Sequence, residues 1–322
     1  FIGGGDRFLS IGRIYNLFTQ AMGLRPNSDE GKVEALAAFG IPDKDLLSLL
    51  KNATHIDKTS LSINFNIQEI KYFYDIDWLI EQRKKVGDEN FCASVQSYLE
   101  DTIVDYLNAI YQRFPIKNLC LSGGVAANII MSLQIYERTK FKNIYVLPPM
   151  GDEGLAIGSA ILTALDLKKD VSWLRDFKMP YFGDSYSRNE VKLVLKGFDN
   201  ISFEDLETNW PEEAAKSVAE GKICSLFHGK MEFGPRALGN RSIIADPRRD
   251  DIRQRINLTV KRRPNYQPFC PSILEEERER LFKDSFAHKH MAIAFRMKEQ
   301  YIKDLPCACL LYTSDAADEE DS

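Results

Sequence analysis

The chain has 322 residues, 44% hydrophobic and 28% charged, and a formal net charge of −5. This length allows two domains, each with its own core, and the composition is globular rather than fibrous or disordered. No apolar run reaches the roughly 18 residues needed to span a bilayer, and no secretory signal opens the chain, so a cytoplasmic protein is expected. Six cysteines (Cys92, Cys120, Cys224, Cys270, Cys307, Cys309) are scattered, mostly in apolar runs. That pattern fits reduced, buried thiols better than a disulfide framework.

In chain order, Ile11–Gly23 reads as an amphipathic helix that Ser10 can cap and Gly23 can end. Lys32–Phe39 is a second, short helix closed by Gly40. Residues 59–73 alternate apolar and polar side chains, as a hairpin or two edge strands would. Asp88–Arg113 carries apolar residues at helical spacing over a long stretch. Lys117–Leu121 is a short strand, and Gly123-Gly124 turns into a helix reaching Lys140. Asn143–Leu147 is a second strand, Pro148–Glu153 a loop and Gly154–Leu167 an Ala/Gly-rich helix, whose small residues allow close approach to its neighbours. This βαβα order implies parallel strands with helices packed on them. From Lys168 to Trp210 the chain turns polar, aromatic and turn-rich, which marks a boundary. Pro211–Glu220 is a helix with Gly221 past its end, Lys222–Phe227 a strand, Asp251–Val260 a helix and Met291–Phe295 an apolar strand.

The segment His228–Pro271 stands out chemically. Between His228 and Arg263 it holds ten Lys or Arg against four acids, in a chain that is acidic as a whole. Gly234 and Gly239 bracket Pro235-Arg236, an arrangement that fixes a tight backbone and aims one guanidinium. Arg236, Arg241, Lys261 and Arg263 can converge on a small oxyanion, because guanidinium forks match phosphate oxygens in pairs. A solvated basic face is the competing reading, and it suits Arg248–Arg255 better than the Gly-Pro-Arg element.

Ser122-Gly123-Gly124-Val125-Ala126-Ala127-Asn128 lies where a strand ends and a helix begins. Backbone N–H groups and the positive end of a helix dipole favour phosphate or ribose oxygens there, although an ordinary strand–helix turn looks the same. Pro148–Gly154, with Gly151 and Asp152, follows the adjacent parallel strand and opens on the same edge. Asp152 suits a divalent cation bridging nucleotide phosphates, and suits a helix N-cap equally well. Asp29-Glu30-Gly31-Lys32 reads as a helix start with acids in its first turn. His228, His288 and His290 have no partners at metal-ligand spacing and are read as structural or surface residues.

Three segments together resemble the O-carbamoyltransferases of antibiotic and nodulation-factor biosynthesis. They are DEGKVEALAAFG (29–40), LSGGVAANIIMSLQI with LPPMGDEGLAIGSA (121–160), and GKMEFGPRALGNRSIIADPR with VKRRPNYQPFCPSIL (229–274). The resemblance implies an α/β fold in two parts. Residues 1–170 would be part of an actin/sugar-kinase/Hsp70-like ATP-binding domain, similar to the tRNA threonylcarbamoyl-transfer proteins. Residues 171–308 would be part of a smaller α/β domain resembling the enzymes that make threonylcarbamoyl-adenylate (YrdC-like). It further implies that carbamoyl phosphate and ATP give a carbamoyl-adenylate, whose carbamoyl group passes to a hydroxyl of a small biosynthetic substrate. Arg236 and Lys261 would be the catalytic cations, binding carbamoyl phosphate with Arg241 and Arg263. Ser122, Gly123, Gly124, Asn128 and Gly151 would bind ATP, and Asp152 a divalent metal, iron or magnesium. Developing negative charge on phosphoryl oxygens is what such preorganised cations stabilise.

The family wording is altered near the second basic loop: Pro264 stands for a Glu, Gln267 for a second Arg and Cys270 for an Ala, while Lys230 stands for an Arg. The resemblance also implies a fragment, with metal-binding histidines upstream of Phe1 and further segments beyond Cys307, so residues 1–308 are not expected to complete catalysis alone. Residues 309–322 resemble the translated read-through of a sequencing adapter and are set aside as non-native; removing their five acids brings both signs to 42. Two other readings compete: a tRNA-modifying threonylcarbamoyl enzyme, and a nucleic-acid-binding module. The latter lacks aromatic residues interleaved with the cations.

Overall fold

The computed structural model describes residues 10–66, 69 and 73–307. The expectation for the tail at 309–322 therefore lies outside the described residues. The first helix, α1 (Ile11–Ala21), starts where Ser10 Oγ accepts the Arg13 N–H at 3.1 Å and buries Ile14, Tyr15, Leu17, Phe18 and Ala21 on one face. It is followed by α2 (Glu30–Ala37) and α3 (Lys44–Asn52). A hairpin of β1 (Thr54–Asp57) and β2 (Ser62–Phe65) comes next. It begins upstream of the alternating stretch, and Glu69, Phe73 and Tyr74 beyond it are helical rather than extended.

Two helices abut at Gly87: α4 (Ile76–Val86) and the long α5 (Asp88–Arg113). Asp88 and Glu89 in the first turn of α5 and Arg113 in its last complement the helix dipole. This helix is the spine of the larger core, with α2, α3, α4 and α6 (Ile129–Arg138) packed along it. Phe18, Val33, Leu50, Phe91, Val95, Ile135 and Val146 meet in that core. Ala292 and Ile293, late in the chain, join it, so a distant segment packs against the N-terminal helices.

The strands β3 (Asn118–Leu121) and β4 (Asn143–Val146) pair in parallel, in register from Asn118↔Asn143 to Leu121↔Val146. Both therefore deliver their following loops to one edge. The first loop is a 3₁₀ turn (Gly124–Ala127) and not an immediate α-helix; Asn128 is extended and begins α6 by capping it. The second leads to α7 (Gly154–Asp166), of which Gly154 alone is buried. Leu155 and Leu162 are exposed; the close approach expected of its small residues occurs at Gly154, where a Cβ would sit 2.2 Å from the Pro149 carbonyl, while Gly158 faces open space.

Within Lys168–Trp210, α8 (Arg188–Leu195) is fixed by a capping box between Ser187 and Glu190, a start signal inside the stretch read as turns. Then come α9 (Trp210–Ala219) with Pro211 in its first turn, and β5 (Cys224–Phe227) antiparallel to β6 (Arg241–Ile244). The helix expected over Asp251–Val260 is an α-turn (Ile252–Arg255) widening into a π-helical one (Ile256–Lys261). A small second core holds Ile252, Ile256 and Cys307 with Ile223, Ala245 and Phe269 against them. The strand expected at Met291–Phe295 is irregular; the Ala294 N–H bonds to the Ile129 carbonyl at 3.2 Å, tying it to α6 rather than to a sheet. The five described cysteines are free as expected, but Cys120 and Cys270 are exposed rather than buried. No helix among the described residues is long and apolar enough to cross a membrane.

Candidate functional site

Parallel pairing brings the two loops after β3 and β4 together, and the Gly123 N–H bonds to the Met150 carbonyl at 2.7 Å. Gly123 has φ of 100°, and a side chain on it or on Gly124 would meet nothing within 4 Å, so the turn has an open face. The loop joining β5 to β6 closes on this edge. A Cβ on Gly234, whose φ is 120°, would sit 3.1 Å from the Pro148 carbonyl, so glycine is what lets the two backbones approach.

Arg236 bridges the loops. Its Nη2 donates to the Ala127 carbonyl at 3.0 Å, while its Nε is buried with no hydrogen-bond partner. Close by, Glu34 of α2 accepts the Ile130 N–H at 3.1 Å. Burial pushes the Glu34 carboxyl up to about 7, against the opposing pull of that N–H and of the Arg236 charge. Sequence reasoning passed over Glu34. The available signal was an acid set between Val33 and Ala35, both buried, in the apolar second half of the helix.

Ser122, Gly123 and Gly124 are exposed at the mouth of the turn. Asn128 faces inward instead. Its Oδ1 accepts the Met131 N–H at 2.8 Å and its Nδ2 donates to Gln96 Oε1 at 2.9 Å. Gln96 in turn donates to Glu100 and accepts from the Tyr15 hydroxyl, so a buried polar network underlies the turn. Burial raises the Glu100 carboxyl to about 7. In the second loop the Gly151 carbonyl accepts the Gly154 N–H at 3.0 Å. Asp152 is exposed, and its backbone carbonyl accepts the Leu155 N–H at 3.1 Å. No group of three or more His, Cys, Asp or Glu side chains able to hold a metal occurs among the described residues.

The four cations of the basic segment do not share one role. Arg241 stacks 3.6 Å from the Phe227 ring centroid and donates to the carbonyls of His228 and Asn240 at 2.8 and 2.9 Å. Arg263 donates from Nε to Asn257 Oδ1 at 2.7 Å and from Nη2 to the Pro268 carbonyl at 3.2 Å. Both guanidinium groups knit their own loops. Lys261 is exposed, and of these four cations Arg236 is the one that hydrogen-bonds to the glycine turn.

Two loop organisers were missed in the sequence. Glu232 Oε1 accepts the N–H groups of Leu238, Asn240 and Arg241 at 2.9, 2.7 and 3.0 Å, folding the Gly-Pro-Arg loop around one carboxylate. Asn257 is fully buried and donates to the carbonyls of Asn265 and Gln267, holding the second basic loop. That loop returns to the chain just past α2 through an edge contact of Tyr266 with Phe39. His288 and His290 lie elsewhere, beside an open hollow of about 610 Å³ against β3 and β4. His288 Nε2 accepts the Ala292 N–H at 3.1 Å, and burial lowers its pKa to about 4, so it serves as a neutral structural residue.

Two family models match the chain in sequence order. Residues 5–161 match the carbamoyltransferase N-terminus and residues 215–314 the carbamoyltransferase C-terminus. The chain is 54% identical over 302 residues to an uncharacterized protein of Methanocaldococcus jannaschii, a match covering 93% of this chain and 50% of that protein. It is 31% identical over 264 residues to nodulation protein NolO of Bradyrhizobium diazoefficiens, covering 79% and 47%. It is 26% identical over 277 residues to the 3'-hydroxymethylcephem-O-carbamoyltransferase of Streptomyces clavuligerus, covering 85% and 49%. The chain thus spans about half the length of these relatives. On the two matched halves, in their order and with the loops that join them, the chain belongs to the carbamoyltransferase family.

Proposed function

We propose that the protein serves O-carbamoylation of a small biosynthetic hydroxyl, using carbamoyl phosphate and ATP by way of a carbamoyl-adenylate. In this reading residues 1–170 belong to an actin/sugar-kinase/Hsp70-like ATP-binding domain and residues 171–308 to a YrdC-like domain. Water hydrolyses carbamoyl phosphate, breaking the bond between the carbamoyl and phosphoryl groups, to give carbamate, phosphate and a proton. A carbamate oxygen attacks the α-phosphorus of ATP, and pyrophosphate leaves. The acceptor hydroxyl then attacks the carbamoyl carbon, and AMP leaves with the bonding pair. The observation that carries the reading is Arg236, a cation from one matched half held on the glycine turn of the other.

Arg236 and Lys261 are assigned to the oxyanion of carbamoyl phosphate, with Arg241 and Arg263 keeping the two loops in shape. Ser122, Gly123 and Gly124, whose open face admits a phosphate or ribose, are assigned to ATP with Gly151, and Asn128 supports that turn from beneath. Asp152 is the oxygen ligand assigned to a divalent cation. One exposed carboxylate among the described residues does not make a metal site, so no step is routed through a cation.

Calorimetric titration tests this. Carbamoyl phosphate should bind with a shallow salt dependence, as a single-phosphate site does, and RNA should not bind. Carbamoyl phosphate should also support exchange of pyrophosphate into ATP if adenylation is intact. RNA binding with a steep salt slope, and none of carbamoyl phosphate, would overturn the assignment.

A further inference from the structure

The open hollow against β3 and β4 shares none of the residues assigned to ATP or carbamoyl phosphate, and its lining is one-sided in charge. Lys142, Lys178 and Lys289 contribute to it and no acidic side chain among the described residues does, in a chain that is acidic as a whole. Successive side chains along a strand point to opposite faces. Ile144 and Val146 therefore enter the core, while Cys120 and Tyr145, paired across the strands, stay exposed as the floor of the hollow. Beside them Asn143 Nδ2 donates to Asn118 Oδ1 at 2.7 Å, so those amides satisfy each other. The wall is a chain of rings. His290 Nε2 donates to the Lys178 carbonyl at 2.8 Å, and its ring stands edge-on to Tyr145 with centroids 6.0 Å apart. His288 packs edge-on against His290 at 5.7 Å, and Phe286 against His288 at 6.2 Å. Rings already fixed by one another lose little further freedom when a ligand arrives.

We propose that this hollow binds a small anion that carries a flat ring, the ring lying on Tyr145 and His290 and the charge meeting Lys178 and Lys289. A volume of about 610 Å³ suits a ligand of that size. Aromatic side chains accept flat rings by stacking, whatever the ring's substituents. Lys178 and Lys289 are exposed and supply the charge. Lys142 is already engaged, its Nζ donating to the Tyr136 carbonyl at 2.8 Å and lying 4.9 Å above that ring. A bare oxyanion would leave the aromatic wall unused, and an uncharged ring would leave the lysines without a counter-charge. The site stands independently of the assignment of Arg236.

Cys120, exposed on the floor, is the reporter, and the exposed Cys270 of the second basic loop reports binding elsewhere. Alkylation of the full chain by iodoacetamide, resolved by peptide mass spectrometry, follows each thiol separately. The probe is 1-naphthyl phosphate. At about ten times its dissociation constant it should slow the reaction of Cys120 about tenfold. Inorganic phosphate and 1-naphthol, each lacking one half of the probe, should need about tenfold higher concentrations for the same protection. Tyr145→Ala, and separately Lys178→Ala combined with Lys289→Ala, should each weaken protection by the probe about tenfold. The three side chains replaced are exposed, so these variants keep the fold. Cys120 reacting at its free rate, or protection confined to Cys270, would overturn the site. Equal protection by inorganic phosphate or by 1-naphthol, or protection that survives the lysine replacements, would overturn it as well.

Discussion

Asn128 and Gln96 form a reciprocal amide pair across 32 residues of sequence, Nδ2 to Oε1 at 2.9 Å and Nε2 to Oδ1 at 3.0 Å. The same Asn128 oxygen caps α6, so one side chain joins α5 to the glycine turn and starts the next helix. Replacing Asn128 with Ala removes a cap worth about 1 kcal/mol and leaves the buried Gln96 amide short of a partner, about 1–3 kcal/mol more. Urea unfolding should show a loss of about 2–4 kcal/mol. A change below about 0.5 kcal/mol would mean that water replaces the pair without cost.

Glu100 lies at the end of this network, and burial sets its carboxyl at about 7, with the Gln96 hydrogen bond opposing. A carboxyl raised in the folded state binds more protons there than in the unfolded chain. Its effect is therefore to lower stability as pH rises from about 4.5 toward 7, and to leave that cost in place above. Glu34 acts in the same direction. Glu100→Gln should flatten the decline of the melting temperature between pH 5 and 8, and be more stable than the parent at pH 8 by an amount on the order of 1–3 kcal/mol. An unchanged pH profile in this variant would show that the carboxyl reaches water.

Where the pattern was local, the sequence reading and the structure agree. The Ser10 cap and the apolar spacing of Asp88–Arg113 are set within a few residues, so spacing alone exposes them. The residues that build the site act across the chain. Arg236 reaches Ala127 over 109 positions, and Glu34 reaches Ile130 over 96, which no periodicity reports. Charge also misled. Arg241 and Arg263 look like anion ligands by type and spacing, yet nearby carbonyls and aromatic rings use their donors first. The Met291–Phe295 run was apolar because it covers α6, not because it pairs in a sheet.

Glu232 gathers three backbone N–H groups onto one oxygen. Burial works to raise its carboxyl, but the bonds from Arg241, Leu238 and Asn240 outweigh it and hold the group below its ordinary value. A depressed carboxyl stabilises the fold above its unfolded pKa, and that stabilisation is lost as pH falls through the folded value. Glu232→Gln keeps the shape and removes the charge, which should cost about 1–2 kcal/mol at pH 7 and nearly nothing below pH 3. Amide exchange of residues 234–241 should quicken in parallel. Equal costs at both pH values would assign the effect to shape rather than charge.

Arg236 and Arg241 are five positions apart and should fail differently. Arg236→Lys keeps a positive charge near the turn but loses the guanidinium edge that carries the unpartnered Nε. Carbamoyl phosphate affinity should drop by about 2 kcal/mol, close to thirtyfold, as for other charge-assisted bonds, with the melting temperature little moved. Arg241→Ala removes the stack on Phe227 and the bonds to the His228 and Asn240 carbonyls. That substitution should cost about 1–2 kcal/mol of stability. Any loss of affinity should be recovered by cooling, since it follows from loosening of the loop and not from a missing contact. Calorimetry and thermal melts on both variants separate the two outcomes. If Arg241→Ala abolished binding while melting like the parent, Arg241 would be touching the anion itself, and the division between a binding cation and a loop-holding one would have to be reversed.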